Sequence, residues 1–598
     1  PPTHISSSRI LVKYLEDGGG QKDGVIELRR NVDDLSLNGK NYAQVRVGVD
    51  GTHFMKGMAM YNDDMPPGID VIYNSKKPKG STKDQVFKPL KDDADNPFGS
   101  TIKRQRHYLK DGKEELSPLN IIDEEGAWGE WQKSLSSQFL SKQLPALAKK
   151  QLGLAYDLKK EEYDEIMSLT NPAVKAVMLK EFSDSCDSDA VNLKGAAMPR
   201  QGSHVILPLT SIRENRIYAP NFKPGETVVL IRHPHGGKFE IPELIVDNNN
   251  AEGKRLLGKS SDAVGIHFKV AQRLSGADFD GDTVLVIPNN EGHIKIAPAL
   301  KGLKDFDTQT AYPQAPSCPP MTKKQVQPQM GIVSNLITDM TIKAANFDEI
   351  ARAVKHSMVI IDSEKHKLNY KQSYIDNGIE ELKIKYQGKK EGGASTLISR
   401  AKSPAYEPHR KEGQVSDRGT KIYIDPITGK KLFTPSGETF SKQVPNKKGP
   451  YYRDPITGKK VYTEMVYEKR PRMTKSTKMA EIDDAFKLSS GTTIETIYAT
   501  HANKLKALGN QARLDLINTP HQKYNQSARE TYKEEVASLN NKLREAYRNK
   551  PLERRANLIA TKNISAKYKS DPLMQDKDKA KKIKTQVLTE ARNRLKAK

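Results

Sequence analysis

Residues 274–288 read L-S-G-A-D-F-D-G-D-T-V-L-V-I-P, and this stretch restricts the fold more tightly than any other. Asp278, Asp280 and Asp282 stand two apart, Gly281 lies between the last pair, and a β-branched run follows at once. In an extended or tightly turned segment, side chains at i, i+2 and i+4 share a face, so the carboxylates converge if Gly281 permits the bend. Held together they repel, and take up protons unless a cation neutralises them. An all-oxygen ligand set suits Mg²⁺, and Mg²⁺ beside phosphates serves phosphoryl transfer. Two plainer readings compete. One is an inert acidic turn. The other is a calcium loop, which also begins D-x-D-x-D. Here, however, Gly falls between the second and third aspartates, Asn289 stands at the closing position, and a strand follows instead of a helix.

A chain of 598 residues is too long for one core, and roughly three to five domains are expected. Lys and Arg number 98 against 74 Asp and Glu, a formal net charge of +24. Such a surplus favours a polyanionic partner, nucleic acid first; basic tails serving solubility are the plainer alternative. The only cysteines are Cys186 and Cys318, which excludes a disulfide framework or cysteine-rich zinc site and fits a reducing, cytoplasmic compartment. No apolar run approaches the ~18 residues of a membrane span and no signal peptide opens the chain, so no membrane partner is expected. The chain starts Pro-Pro and not Met, as a trimmed product or a fragment would.

Along the chain, residues 1–118 read as short strands broken by Gly, Asp-Gly and Pro-Pro, and residues 119–187 as a helical connector. Residues 188–297 are again β-rich, and 298–390 helical. Residues 391–472 form a basic, turn-rich insertion holding Y-I-D-P-I-T-G-K-K and Y-R-D-P-I-T-G-K-K, each a Pro-initiated turn closed by Gly in a small β-ribbon. Residues 473–598 are helical and increasingly rich in lysine. Trp128 and Trp131 read as packing residues, and His233, His235 and His267 as structural or substrate-proximal.

The A-D-F-D-G-D loop with its following strand resembles the catalytic loop of the double-psi β-barrel in the largest subunit of multisubunit RNA polymerases. Gly276 stands where that family usually has Asn. Upstream, V-V-L-I-R-H-P-H-G-G-K-F-E-I-P resembles the same barrel's R-x-P segment. The resemblance implies that Arg232 faces the ribose 2′-hydroxyl and that Pro234 shapes the turn. Earlier still, M-K-G-M-A-M-Y-N-D-D-M-P-P-G-I-D-V-I-Y-N resembles the barrel of the second-largest subunit, making Lys56 the lysine that neutralises nucleotide phosphates. For the family's second lysine, Arg46 and His53 stand nearest. Downstream, V-K-H-S-M-V-I-I-D-S-E-K, with His356, Asp362 and Lys365, is similar to the post-barrel helices of the RNA-dependent RNA polymerases of RNA silencing.

These resemblances span about residues 40–80, 190–297 and 326–370. They imply an α+β chain with two double-psi β-barrels forming one active site, joined by the helical connector and followed by a largely helical, basic C-terminal region. The implied enzyme is a single-chain RNA polymerase of phage or prophage type. It would join ribonucleoside triphosphates with release of pyrophosphate, using two Mg²⁺ ions, or Mn²⁺ in vitro, held by Asp278, Asp280 and Asp282. A monomer on a nucleic-acid template, making an RNA product, is expected. The close likeness of the first barrel to the bacterial enzyme favours DNA as template; the post-barrel helices favour RNA. A catalytically silent nucleic-acid-binding protein that kept the barrels is the rival from another class, and three crowded carboxylates speak against it. The helix over 493–513 brings either a mobile element with His501 near the phosphates or, the preferred reading, an amphipathic surface or template-contacting helix.

Overall fold

The computed structural model describes residues 3–93, 96–100, 102–122, 132–233, 237–274, 276–303, 306–407, 421–434, 439–453, 460–471, 474–567, 572–574 and 577–595. Trp128, Trp131, Pro234 and His235 lie outside them. The chain divides into two units, residues 1–519 and 520–598.

The first unit opens with β1 (His4–Ile5), β2 (Ile10–Lys13), β3 (Val25–Leu28), β4 (Tyr42–Val49), β5 (His53–Tyr61), β6 (Val71–Asn74), β7 (Lys88–Pro89), β8 (Ile102–Lys110) and β9 (Lys113–Ile122). They form one sheet in the order β2-β6-β3-β5-β4-β9-β8, with β1 on β4 and β7 on β5. Among the described residues no ladder closes this nine-stranded sheet, so the expected first barrel is not confirmed. β1 pairs with β4 and β2 with β6, but a 3₁₀ turn over Ser7–Arg9 separates these two short strands. Asp50 accepts from the Ser7 N–H at 2.8 Å, while Arg9 grips Asp34 through two N–H donors and Asp70 through a third. The segment is thus held at both ends, with its two short strands on different neighbours.

A short pair, β10 (Ser134–Leu135) and β11 (Gly195–Ala196), brackets the connector helices α1 (Pro145–Met167) and α2 (Pro172–Asn192). Each helix begins with proline, whose missing N–H is harmless in the first turn. The Asn171 side chain caps α2 by accepting from the Ala173 and Val174 N–H groups.

The second β region closes completely. β12 (Gly202–Pro208), β13 (Arg216–Tyr218), β14 (Thr227–Ile231), β15 (Glu243–Val246), β16 (Ala263–Ile266) and β17 (Thr283–Pro288) form a barrel in the order β12-β16-β13-β15-β14-β17. Its continuous apolar runs follow from burial on both faces. Val228 and Leu230 of β14, with Val284 and Val286 of β17, enter one apolar cluster. The alternate residues Val229, Ile231, Leu285 and Ile287 enter another, together with Leu147 and Leu152 of α1.

Helices α3 (Lys323–Ile342) and α4 (Phe347–His366) follow, each begun by a capping box, and pack through Leu336, Met340, Ile350 and Val354. Buried Asp339 ties α3 to the helix Leu397–Ala401, accepting from the N–H groups of Ser395 and Thr396 and the hydroxyls of Thr396 and Ser399. The insertion is framed by β18 (Pro404–Glu407) paired with β25 (Thr474–Thr477). Within it lie β19 (Lys421–Ile424), β20 (Lys431–Thr434), β21 (Thr439–Pro445), β22 (Tyr451–Arg453), β23 (Lys460–Tyr462) and β24 (Met465–Pro471). The first D-P-I-T-G-K-K copy is the β19–β20 turn, where Asp425 accepts from the Ile427 N–H at 2.9 Å and the Thr428 hydroxyl at 2.7 Å. The central residues of the second copy, 454–459, lie outside the described residues. Helix α5 (Thr493–Asn518) closes the unit, packing on α1 and α2 and contributing Ile494, Tyr498 and Ala502 to the cluster outside the barrel. In the second unit, α6 (Lys533–Lys567) and α7 (Lys577–Leu595) pack through Ala556, Ala560, Val587 and Ala591.

Candidate active site

The aspartate loop runs from the end of the helix Phe268–Arg273 to the start of β17. It bends at Gly281, whose φ of +129° side chains rarely adopt. A Cβ there would also run into the Gln44 side chain, which donates to the Asp280 carbonyl at 3.3 Å. Within the loop, the Asp278 N–H donates to Asp282 Oδ2 at 2.9 Å and the Asp280 N–H to Asp278 Oδ1 at 3.1 Å. The turn thus brings one oxygen from each of Asp278, Asp280 and Asp282 within 4.8 Å of the others. Among the described residues no other group of three His, Cys, Asp or Glu side chains converges in this way.

Counter-charge comes both from the opposing sheet and from the barrel itself. Lys56 of β5 reaches Asp280 Oδ2 at 3.0 Å, and Arg232, just after β14, reaches Asp282 Oδ2 at 3.0 Å. Burial, followed by the charges of Asp280 and Asp282, pushes the Asp278 carboxyl up to about 7. Burial also works to raise Asp280, but the charge and hydrogen bond of Lys56 outweigh it and hold that carboxyl below the usual range. The donor set fits a hard divalent cation: three carboxylates, each with a second oxygen beyond these contacts, one of them driven toward protonation by its neighbours.

Four residues that sequence reasoning missed complete the setting. The loop holding Asp23 and Gly24 presses on the aspartates from the sheet. The Asp23 carbonyl accepts from the Phe279 N–H at 2.9 Å, and a Cβ on Gly24 would stand 2.6 Å from Asp280 Cβ. Lys76 Nζ lies 3.4 Å from Asp23 Oδ2; burial opposes its charge, yet Asp23 and Asp278 hold its pKa above the ordinary value. Lys88 of β7 sits beside Phe54 across the β5 ladder, and desolvation, then repulsion from Lys56, push it below its usual pKa. The sequence signals were slight: a D-G turn at 23–24 and isolated lysines in a lysine-rich chain.

The expected residues do not all gather here. Arg46 faces Lys56 directly across the β4–β5 ladder, but it is only 2% exposed and its guanidinium donates to Ser100 Oγ at 3.0 Å. His53 pairs with Asp84 at 2.7 Å. His501 is buried within α5, where burial and then the Lys504 charge push it down to about 4. Of the α4 residues, Lys365 acts on Lys77 and Lys88, lowering both after desolvation, and Asp362 acts on Lys76. His356 instead lies in the helical core, 2.9 Å from Ser373 Oγ. Pro234 is outside the described residues.

No family profile matches the chain, and no curated protein does. Among solved structures it is similar to the RNA-dependent RNA polymerase QDE-1 from Thielavia terrestris, with a TM-score of 0.36 and 14% identity over 64% of this chain. The chain spans about half of that enzyme, 49% of its length. So loose an overlay transfers neither residues nor activity, and the functional reading rests on the site itself.

Proposed function

We propose that the protein is a template-directed RNA polymerase, a nucleotidyltransferase that extends an RNA 3′ end with ribonucleoside triphosphates. One observation carries this reading: three converging carboxylates on the barrel face a basic rim from the sheet and α4, with Lys56 3.0 Å from Asp280. Asp278, Asp280 and Asp282 would hold divalent cations, Mg²⁺ by ligand chemistry. When bound, such ions neutralise the triphosphate and lower the pKa of the attacking hydroxyl. In the reaction the 3′ oxygen bonds to the α-phosphorus, the α–β anhydride bond breaks, and pyrophosphate leaves.

The chain's own residues do the rest. Lys56, Lys88, Lys77 and Lys365 form a fixed cationic rim that stabilises charge developing on the phosphates. Desolvation first, and then repulsion from neighbouring lysines, hold Lys77 and Lys88 below their usual pKa, and an entering anion relieves that repulsion. Arg232 orients Asp282 and is the residue assigned to the sugar.

The template reading shifts from DNA to RNA. DNA rested on likeness of residues 40–80 to a closed bacterial barrel, and closure there has no ladder to support it among the described residues. The α4 segment that resembles the silencing enzymes brings Lys365 within electrostatic reach of Lys77 and Asp362 within reach of Lys76, which supports RNA. The test is incorporation of labelled ribonucleotides with Mg²⁺ on single-stranded RNA and single-stranded DNA in parallel. Product on RNA, reduced to background by Asp280→Asn, is expected. Product on DNA alone overturns the template assignment, and product on neither overturns the polymerase.

A further inference from the structure

The insertion contains a second surface with its own chemistry. β21 pairs with β24 and β22 with β23, and backbone bonds from Asn446 to Glu464 and from Thr463 to Pro450 join the two ladders into one hairpin. Each arm holds one strand of seven residues and one of three, about 33 Å of ladder at ~3.3 Å per residue. Among the described residues the arms have only each other as ladder partners. An isolated two-stranded hairpin is marginally stable in water, so a free ribbon of this length calls for something to lie on it.

Its side chains indicate what. Residues 439–471 hold eight Lys or Arg against three Asp or Glu. Tyr451, Tyr452 and Tyr467 are 48%, 54% and 74% exposed, far more than tyrosine needs for solubility alone. Tyr451 stands opposite Tyr462 and Arg453 opposite Lys460, which puts two rings and two cations on one face. The rings lie 5.8 Å apart and Lys460 Nζ stands 4.2 Å from the Tyr451 centroid. Lys447 and Lys448 are exposed at the joint between the ladders. Exposed rings beside cations form the surface that takes up single strands, bases stacking on rings and phosphates on lysines. An edge guarded by lysines alone would not need the tyrosines.

We propose that the ribbon formed by residues 443–453 and 460–467 is a binding site for single-stranded nucleic acid, with bases on Tyr451 and Tyr462 and phosphates on Lys447, Lys448, Arg453 and Lys460. The first D-P-I-T-G-K-K turn serves differently: Gly429 packs on Asn510 of α5, and Lys431 pairs with Asp184 of α2 at 3.1 Å. The site stands independently of the carboxylates.

The test uses the full chain and a fluorescent single-stranded oligonucleotide carrying 5-bromouridine. Photo-cross-links are expected at Tyr451 or Tyr462. Tyr451→Ala should weaken binding at least fivefold and Tyr451→Phe should restore it, as stacking requires. Lys460→Ala should reduce the slope of log K against log salt by about 0.7. Asp280→Asn should leave all of this unchanged, which separates the ribbon from the polymerase reading. Cross-links confined to other segments, or alanine variants with unaltered affinity and salt slope, would overturn the proposal. So would equal loss in Tyr451→Ala and Tyr451→Phe, or preferential binding of duplex.

Discussion

Replacing Gly24 by alanine tests whether the sheet positions the aspartate loop. The added methyl would stand 2.6 Å from Asp280 Cβ, 2.7 Å from its N and 2.8 Å from its Cα. Carbon contacts are ordinarily about 3.5–4.0 Å, so the loop has to retreat by roughly 1 Å. Gly24 also sits at φ +89°, where a side chain costs about 1–2 kcal/mol. Overpacking adds about 1–3 kcal/mol, so Gly24→Ala should lose about 2–5 kcal/mol of stability in urea unfolding. A displacement of about 1 Å at reacting groups costs about 10²-fold in rate. Calorimetric titration with Mg²⁺ and ribonucleotide incorporation, both under conditions where the variant is folded, should therefore weaken together. A variant destabilised as expected that keeps wild-type Mg²⁺ affinity and incorporation would refute the coupling, and so would one with no change at all.

Three further outcomes are expected. Lys88→Ala should raise the KM for nucleotide about tenfold, the loss of roughly 1.4 kcal/mol of charge-assisted contact, with Lys88→Arg recovering most of it in steady-state kinetics. His356 is 3% exposed, and burial followed by the Lys383 charge pushes it down to about 4; the unfolded chain, near 6.5, binds the proton first. Stability from this group is thus fully present above about pH 6.5 and falls as pH drops toward 4, by up to ~3 kcal/mol, a slope that His356→Gln should flatten in urea melts across that range. Asp339→Ala strands buried N–H donors of Ser395 and Thr396 and should cost about 3–5 kcal/mol, read as a fall in Tm, with Asp339→Asn less severe.

What the sequence disclosed depended on how local each feature is. The aspartate loop was legible because its ligands lie within five residues and the bend needs one glycine, so pattern and geometry coincide. The barrel strands were legible as apolar runs because both faces are buried. The pairing of β1 and β2 with different neighbours was not: it accompanies the contacts of Arg9 with Asp34 and Asp70 and of Ser7 with Asp50, which form only after folding. Asp23 escaped notice because it acts on Phe279 through a carbonyl, which every residue has. Lys88 could not be told from other lysines until β7 laid it against β5. His501 shows the converse: an ionisable residue on a recognisable helix, turned inward by the packing of α5 on α1 and α2.

Val25, Met58 and Met60 of the sheet belong to the same apolar cluster as Val228, Leu230, Val284 and Val286 of the barrel. With the Asp23–Phe279 bond and the Gly24–Asp280 contact, this gives the two β regions a common seam running beneath the carboxylates. Such a seam is inherited as a pair. A sheet grafted from a relative would carry its own loop at 22–24 and its own methionines, and would meet a barrel shaped for others. A change of size on one side of the seam therefore calls for a matching change on the other.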